Sequence, residues 1–394
     1  MEYSIDEIFK MNLDENHNSI IPINNIYKIC KAVIKIELPN RAEASGFFIL
    51  LTRKEKPFYC LMTNEHVISS NMIENKETIK IQYDNKEKNM QIILDREERI
   101  IISLMESLYI DVTIVEITPK EKINIGDSCF LNPSTDINSF EELIGKEIKI
   151  VHFPNGDKLS LSNGIIKGLI KEGEIKNNNN TEYLFYHDAP TQSGSSGSPI
   201  VIKGNNSVVA IHKSTVLNGH KNIGLFIQEV IKIIEAFQRD GKGKEYYENG
   251  KLKYKGNYRN DEYDGEGIFY YENGEFFEGN FIIGKKNGIG FLYKNGQAIK
   301  EIKYKEDQII EEIDLIIENN NKANNEKDNE NNKNISNNEN DTVNNIFKIG
   351  SSIIKNIYDF KCTNCTHSIK IHKEISFGKW QCQECNEICK LFFL

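Results

Sequence analysis

The 394-residue chain has no run of 18 apolar residues, no excess of basic charge, and few cysteines before residue 360. The first absence leaves no segment suited to a membrane-spanning helix. The second, 49 Lys and Arg against 58 Asp and Glu for a net charge of -9, disfavours nucleic acid and anionic lipid as partners of the whole surface. The opening residues Met1 to Glu7 are acidic where a secretory signal is basic and then apolar, so a cytoplasmic location is expected. Cys30, Cys60 and Cys129 form an odd set with no pairing pattern; disulfides are not expected, and the three read as small buried hydrophobes. The length allows two or three domains.

What is present includes three short segments in a fixed order. Thr63-Asn64-Glu65-His66-Val67 follows the apolar run Phe58-Tyr59-Cys60-Leu61-Met62; Asp111 heads the alternating run Val112-Thr113-Ile114-Val115; and Gly194-Ser195-Ser196-Gly197-Ser198-Pro199 forms a loop of small residues. A serine hydroxyl is a weak nucleophile at neutral pH, and acyl transfer needs an imidazole to take its proton and a carboxylate to hold that imidazole in the right tautomer. His66, Asp111 and Ser196 supply these parts. Asp127 is the rival carboxylate, but it follows Gly126 in a turn-like stretch. Between His66 and Ser196, apolar runs such as Ile79–Tyr83, Ile148–Val151 and Lys158–Ser162 before Asn163-Gly164 alternate with turn signals, a β-rich pattern. Ile227, Val230, Ile231, Ile234 and Phe237 then mark a helical stripe.

The order His, Asp, Ser matches chymotrypsin-like barrels rather than subtilisins or α/β-hydrolases. With Ala44-Ser45-Gly46-Phe47-Phe48 and Val208-Val209-Ala210-Ile211-His212, residues 22–238 resemble a trypsin-like serine peptidase, closest to the glutamyl endopeptidase branch. The resemblance implies a double β-barrel with His66 and Asp111 on the first barrel and Ser196 on the second. It further implies an oxyanion hole from the N–H groups of Gly194 and Ser196, and peptide or protein substrates. Ser195 stands where trypsin-like zymogens carry the aspartate that binds a freed N-terminus, so a site competent without that switch is expected. Pro190 stands where enzymes cutting after Lys or Arg hold an aspartate. Thr191 and His212 align with residues that bind a substrate carboxylate in glutamyl endopeptidases. An acidic P1 residue and a small polar or apolar one are both open readings, His212 being in the second a wall of an apolar pocket.

From Gly241 the texture changes. Tyr247-Glu248-Asn249-Gly250, Tyr271-Glu272-Asn273-Gly274 and Tyr293-Lys294-Asn295-Gly296 recur, and each Asn-Gly suits a two-residue type I′ turn. Residues 241–304 resemble about three MORN repeats. Ten Lys and Arg against nine Asp and Glu over residues 241–300 do not support a lipid surface, and a protein-contact role is expected. Tyr246, Tyr254, Phe269, Tyr270, Phe276 and Phe277 read as core. Ile309, Ile310, Ile313, Ile316 and Ile317 predict a short amphipathic helix, the first part of a 305–350 segment. Fourteen of the 27 residues from 319 to 345 are asparagine, a composition that cannot bury a core and predicts a disordered linker. Last, Cys362, Cys365, Cys382 and Cys385, in two Cys-x2-Cys pairs, predict a structural Zn2+ site in a module of residues 352–394 that resembles a zinc ribbon. His367 and His372 are alternative ligands, and Cys389 is spare. Residues 1–20 form an extension without a readable role. The whole is expected to be mainly β, and the competing reading is a peptidase fold kept as an idle scaffold for partners.

Overall fold

The computed structural model describes residues 3–4, 23–39, 42–105, 110–134, 137, 139–170, 183–204, 207–215, 221–315, 358–361, 368–371, 379–381 and 388–390. It divides into two compact units, residues 1–262 and 263–394. Among the described residues no helix is long and apolar enough to cross a membrane.

In the first unit, strand β1 (Tyr3–Ser4) and helix α1 (Ile23–Ala32) precede a sheet of seven strands: β2 (Val33–Glu37), β3 (Glu43–Arg53), β4 (Lys56–Thr63), β5 (Thr78–Tyr83), β6 (Lys88–Ile93), β7 (Ile101–Ser103) and β8 (Thr113–Glu116). Their order is β6-β5-β2-β3-β4-β8-β7, each pair antiparallel. Strand β3 explains why two cores form. Successive side chains of a strand point to opposite faces. Phe47, Ile49 and Leu51 therefore enter one buried cluster, while Phe48 and Leu50 enter the other with Ile36, Leu61, Ile79 and Ile81. The first cluster also takes Val151, Phe153, Leu161 and Val201, so it is the layer shared with the second sheet.

That second sheet comprises β9 (Glu147–His152), β10 (Ser160–Leu169), β11 (Leu184–His187), β12 (Pro199–Ile202), β13 (Val208–Thr215) and β14 (Asn222–Phe226). Because β9 pairs with both β10 and β12, the six strands close into a barrel, and β1 joins it beside β10. Asn163-Gly164, read from sequence as a turn, instead continues β10 opposite Lys149 and Ile148. The glycine lets this strand pass against the Ala189 backbone, where a Cβ would sit 2.3 Å from the Ala189 nitrogen. A helix of residues Gln228–Ala236 follows β14 and buries Val230 and Ile234 in the shared layer, as its apolar stripe predicts.

Strands β15 (Gly241–Tyr246) and β16 (Leu252–Arg259) form a hairpin that belongs to the first unit, so the unit boundary lies one hairpin beyond the change of texture at Gly241. Charged contacts explain its attachment: Asp261 pairs with Arg53 and Lys54, and Lys244 with Glu98.

The second unit continues with β17 (Glu262–Tyr270), β18 (Phe276–Ile282), β19 (Lys285–Lys294), β20 (Gln297–Lys305) and β21 (Gln308–Asp314), paired in sequence as an antiparallel meander. Of the three Asn-Gly turns, only Asn295-Gly296 has positive φ at both residues, 51° and 77°. At the other two sites the glycine alone is left-handed, and the asparagine side chain accepts from the backbone two residues on, Asn249 from Lys251 and Asn273 from Glu275. Of the aromatics read as core, Tyr254 and Phe277 are fully buried, whereas Tyr246, Phe269, Tyr270 and Phe276 are half-buried.

Residues 308–314 correct the helix expected from the isoleucine spacing. Glu306-Asp307 turns the chain back with φ of 51° and 67°, and β21 pairs along β20. Ile309, Ile310 and Ile313 stay exposed, so a helical stripe has nothing here to pack against and the ladder decides. Ile316, Ile317 and the asparagine-rich stretch lie outside the described residues.

Candidate active site

Strand register brings the first two predicted residues together. Thr63 at the end of β4 pairs with Thr113 at the start of β8. His66 lies three residues beyond the one and Asp111 two residues before the other. His66 Nδ1 lies 2.8 Å from Asp111 Oδ2, and the His66 backbone N–H donates to Asp111 Oδ1 at 3.1 Å. Asn64 Nδ2 donates to the Asp111 carbonyl at 2.9 Å. The Asp111 side chain is 3 % exposed and the His66 side chain 45 %, so one ring edge is held and the other faces outward. Asp127, the rival, is a solvent-facing partner of Lys122 at 2.7 Å.

Ser196 is presented by the loop that enters β12. The Gly197 N–H donates to the His212 carbonyl at 3.0 Å and the His212 N–H to the Ser198 carbonyl at 2.8 Å, so β13 fixes the loop from one side. Ser45 of β3 fixes it from the other: its N–H donates to the Ser196 carbonyl at 3.0 Å, and its hydroxyl donates to the Gly194 carbonyl at 2.7 Å. Ser45 stands within the Ala44–Phe48 segment, where nothing in its neighbours along the chain marks it as a clamp between the two sheets. Ser196 Oγ donates to the Lys213 carbonyl at 3.2 Å, and no hydrogen bond joins it to His66. The Ser193 carbonyl accepts from the Asn155 N–H. In a planar trans peptide the N–H opposes the C=O, so the Gly194 N–H points away from Asn155. Among the described residues neither this N–H nor that of Ser196 has a protein acceptor.

Gly197 is required by space as well as by its φ of +87°: a Cβ would lie 2.1 Å from the Ser45 carbonyl oxygen and 2.3 Å from Thr63 Oγ1. Gly197→Ala is expected to part the loop from β3 and to cost at least about 2–3 kcal/mol in stability, read by thermal unfolding. An unchanged midpoint would mean that the loop can yield.

Behind the loop lies a buried histidine cluster. Ser195 Oγ accepts from the Gln192 N–H at 3.0 Å and lies 2.7 Å from His152 Nδ1, while His152 Nε2 lies 3.0 Å from Ser162 Oγ. Ser195 thus ends on a partner inside the same barrel. His187 Nε2 meets His212 Nδ1 at 3.2 Å, and Thr191 Oγ1 lies 3.4 Å from Thr215 Oγ1. All three histidines are almost fully buried. Burial lowers the pKa of His152 and of His187 to about 4 and holds His212 well below the usual histidine value.

These histidines are neutral in the folded chain but titrate near 6.5 when unfolded. As pH falls, the unfolded chain takes up protons first, so their contribution is complete above pH 6.5 and is lost between pH 6.5 and about 4. The melting temperature should drop across that window, and His152→Gln should remove part of the drop. A flat profile from pH 7 to 4.5 would contradict it.

Cys362, Cys365, Cys382 and Cys385 lie outside the described residues. The strands flanking them are described: β22 (Tyr358–Lys361) pairs with β23 (Ser368–Ile371), and β24 (Lys379–Gln381) with β25 (Ile388–Lys390). Each Cys-x2-Cys pair therefore falls in the connection of an antiparallel strand pair.

Residues 44–211 match the family model of the trypsin-like peptidase domain. No curated protein matches the chain. Similar solved structures include the inactive Ser-to-Ala mutant of Rv3671c from M. tuberculosis H37Rv, at 16% identity and TM-score 0.41, covering 58% of this chain and 98% of that one. The active form of the M. tuberculosis Rv3671c protease is 18% identical at TM-score 0.39, covering 58% and 96%; Deg5 is 20% identical at TM-score 0.38, covering 54% and 93%. The family match over residues 44–211 and the two antiparallel sheets that hold them support a trypsin-like peptidase domain of the chymotrypsin fold.

Proposed function

We propose that the chain is a serine endopeptidase in which His66, Asp111 and Ser196 are the catalytic triad. The observation that carries this reading is the His66 Nδ1 to Asp111 Oδ2 contact at 2.8 Å, made by a buried carboxylate and an imidazole whose other edge is open. In this scheme Ser196 Oγ exchanges the Lys213 carbonyl for His66 Nε2. Oγ then attacks the peptide carbonyl carbon as Nε2 takes its proton, and Asp111 stabilises the imidazolium that forms. The N–H groups of Gly194 and Ser196 meet the oxyanion, each such donor contributing about 3 kcal/mol to transition-state stabilisation. His66 passes the proton to the leaving amine, and water releases the acyl group by the same route. Labelling by a fluorophosphonate probe, compared with Ser196→Ala, tests the assignment.

The resting bond of Ser196 Oγ to Lys213 instead of His66 favours a second reading, a catalytically idle scaffold that recruits partners. Full-length protein that takes up no probe at Ser196 would establish it.

Acidic P1 specificity is part of the first reading. Pro190 offers no counter-charge to a basic side chain, whereas Thr191 and His212 offer a hydroxyl and an imidazole N–H. Burial keeps His212 neutral, so it serves a carboxylate as a hydrogen-bond donor and not as a cation. Thr191→Val should reduce cleavage after Glu relative to Ala by about tenfold in a peptide library, one lost hydrogen bond to a charged group. An unchanged ratio would favour a small polar or apolar P1 residue.

The C-terminal cysteines are proposed to hold one structural Zn2+. Four thiols in the connections of two strand pairs suit a closed tetrahedral site, in which zinc would supply folding energy and no catalytic step. Metal analysis of the whole protein should return about one zinc per chain, and protein prepared without any metal would retire the site. The strand meander is proposed as a protein-contact platform that places the peptidase inside the cell; its exposed apolar residues are isoleucines, Ile282, Ile283, Ile289, Ile309, Ile310 and Ile313, not the aromatics.

A further inference from the structure

One charged side chain lies against the triad without a role in the scheme above. Lys213 is the extra residue of a β-bulge: in the β13–β14 ladder His212 pairs with Gly224 and Ser214 with Ile223, and Lys213 between them has no opposite number. A bulge interrupts the alternation of a strand and re-aims a side chain. Lysine ordinarily carries its ammonium out to water. Here the side chain is only 18 % exposed, and Nζ lies 3.7 Å from Asp111 Oδ2. Among the described residues, Asp111 is the only carboxylate that Lys213 pairs with. The same oxygen receives His66 Nδ1, and the carbonyl of the same lysine receives the Ser196 hydroxyl.

Resting on the triad reading, we propose that Lys213 is a positioning residue: its ammonium shares Asp111 Oδ2 with His66 and so lowers the pH at which His66 becomes a free base, while its carbonyl parks the Ser196 hydroxyl. A cation beside the carboxylate opposes formation of a second cation on the imidazole. The other titratable groups near the pair do not compete for this role. Glu65 turns its carboxylate to the Ser70 N–H at 3.0 Å, and His212, His187 and His152 are held neutral by burial. The lysine therefore works against the aspartate. It sacrifices some stabilisation of the imidazolium and in return keeps the base unprotonated in more acidic surroundings.

The test uses the full-length chain as wild type, Lys213→Met, Lys213→Gln and Lys213→Arg, each first checked for cooperative unfolding. Gln serves if Met does not fold. Fluorophosphonate labelling rates are measured from pH 5 to 9, and the His66 titration is followed independently by NMR of histidine-labelled protein, assigned with His66→Gln. With the charge removed, the acid-side midpoint of labelling and the His66 midpoint should both rise by roughly half a unit to one unit, the effect of one nearby like charge. Lys213→Arg should restore them. Midpoints that stay in place in folded Met and Gln variants overturn the proposal. Loss of labelling in every protein, wild type included, overturns the triad reading instead, and the NMR midpoints then still decide whether Lys213 acts on His66.

Discussion

Ser196→Ala is expected to abolish fluorophosphonate labelling and to lower peptide hydrolysis by on the order of 10^4- to 10^6-fold, the range for loss of a triad nucleophile. No neighbour can replace the lost hydroxyl. Ser195 is fully buried with its oxygen engaged by His152 and Gln192, and Ser198 is fully buried on the far side of Gly197. Ser193 is exposed but lies in the segment tied to Asn155. The folded state should hardly notice the change, because the hydroxyl makes one bond, to the Lys213 carbonyl, worth about 1 kcal/mol at most. A folded, inactive protein is thus predicted, with Ser193→Ala as an active control. Undiminished Ser196→Ala activity would remove Ser196 from the chemistry.

Asp111→Asn should lower turnover by about 10^4-fold while leaving substrate binding nearly unchanged. The carboxylate can only accept, so it requires a proton on His66 Nδ1 and leaves a lone pair on Nε2 for Ser196. An amide nitrogen at that place donates to Nδ1, the proton moves to Nε2, and the base is lost. The substitution also leaves the Lys213 ammonium without its carboxylate, an uncompensated charge at a site only 18 % exposed. Asp111→Asn should therefore destabilise the fold more than Ser196→Ala does. If KM rises and kcat holds, Asp111 serves binding and not the base.

Both effects fall on residues that the sequence announces, unlike the groups that hold them. His66, Asp111 and Ser196 were each marked by local composition, a strand end, an alternating apolar run and a loop of small residues. Local composition carries such signals because a buried carboxylate needs apolar flanks and a tight loop needs glycine. Lys213 and Ser45 had no such mark. Lys213 is a charged residue on a strand, which alternation would send to solvent, and only the bulge turns it inward. Ser45 is one small residue of an apolar strand, and its bonds to Gly194 and Ser196 span about 150 positions of chain. The helix expected over the isoleucines near 310 erred for the opposite reason: a genuine periodicity existed, but the partner surface that would reward it did not.

By itself, then, the order of residues determined the reactive types, their succession along the chain, the β-rich texture and the repeating hairpins, because these depend on neighbours a few positions apart. Tertiary structure alone decided which carboxylate meets the imidazole, where the Ser196 hydroxyl rests, and which cation shares Asp111. Those outcomes depend on strand register and on one bulge, which are settled by packing between segments far apart in the chain.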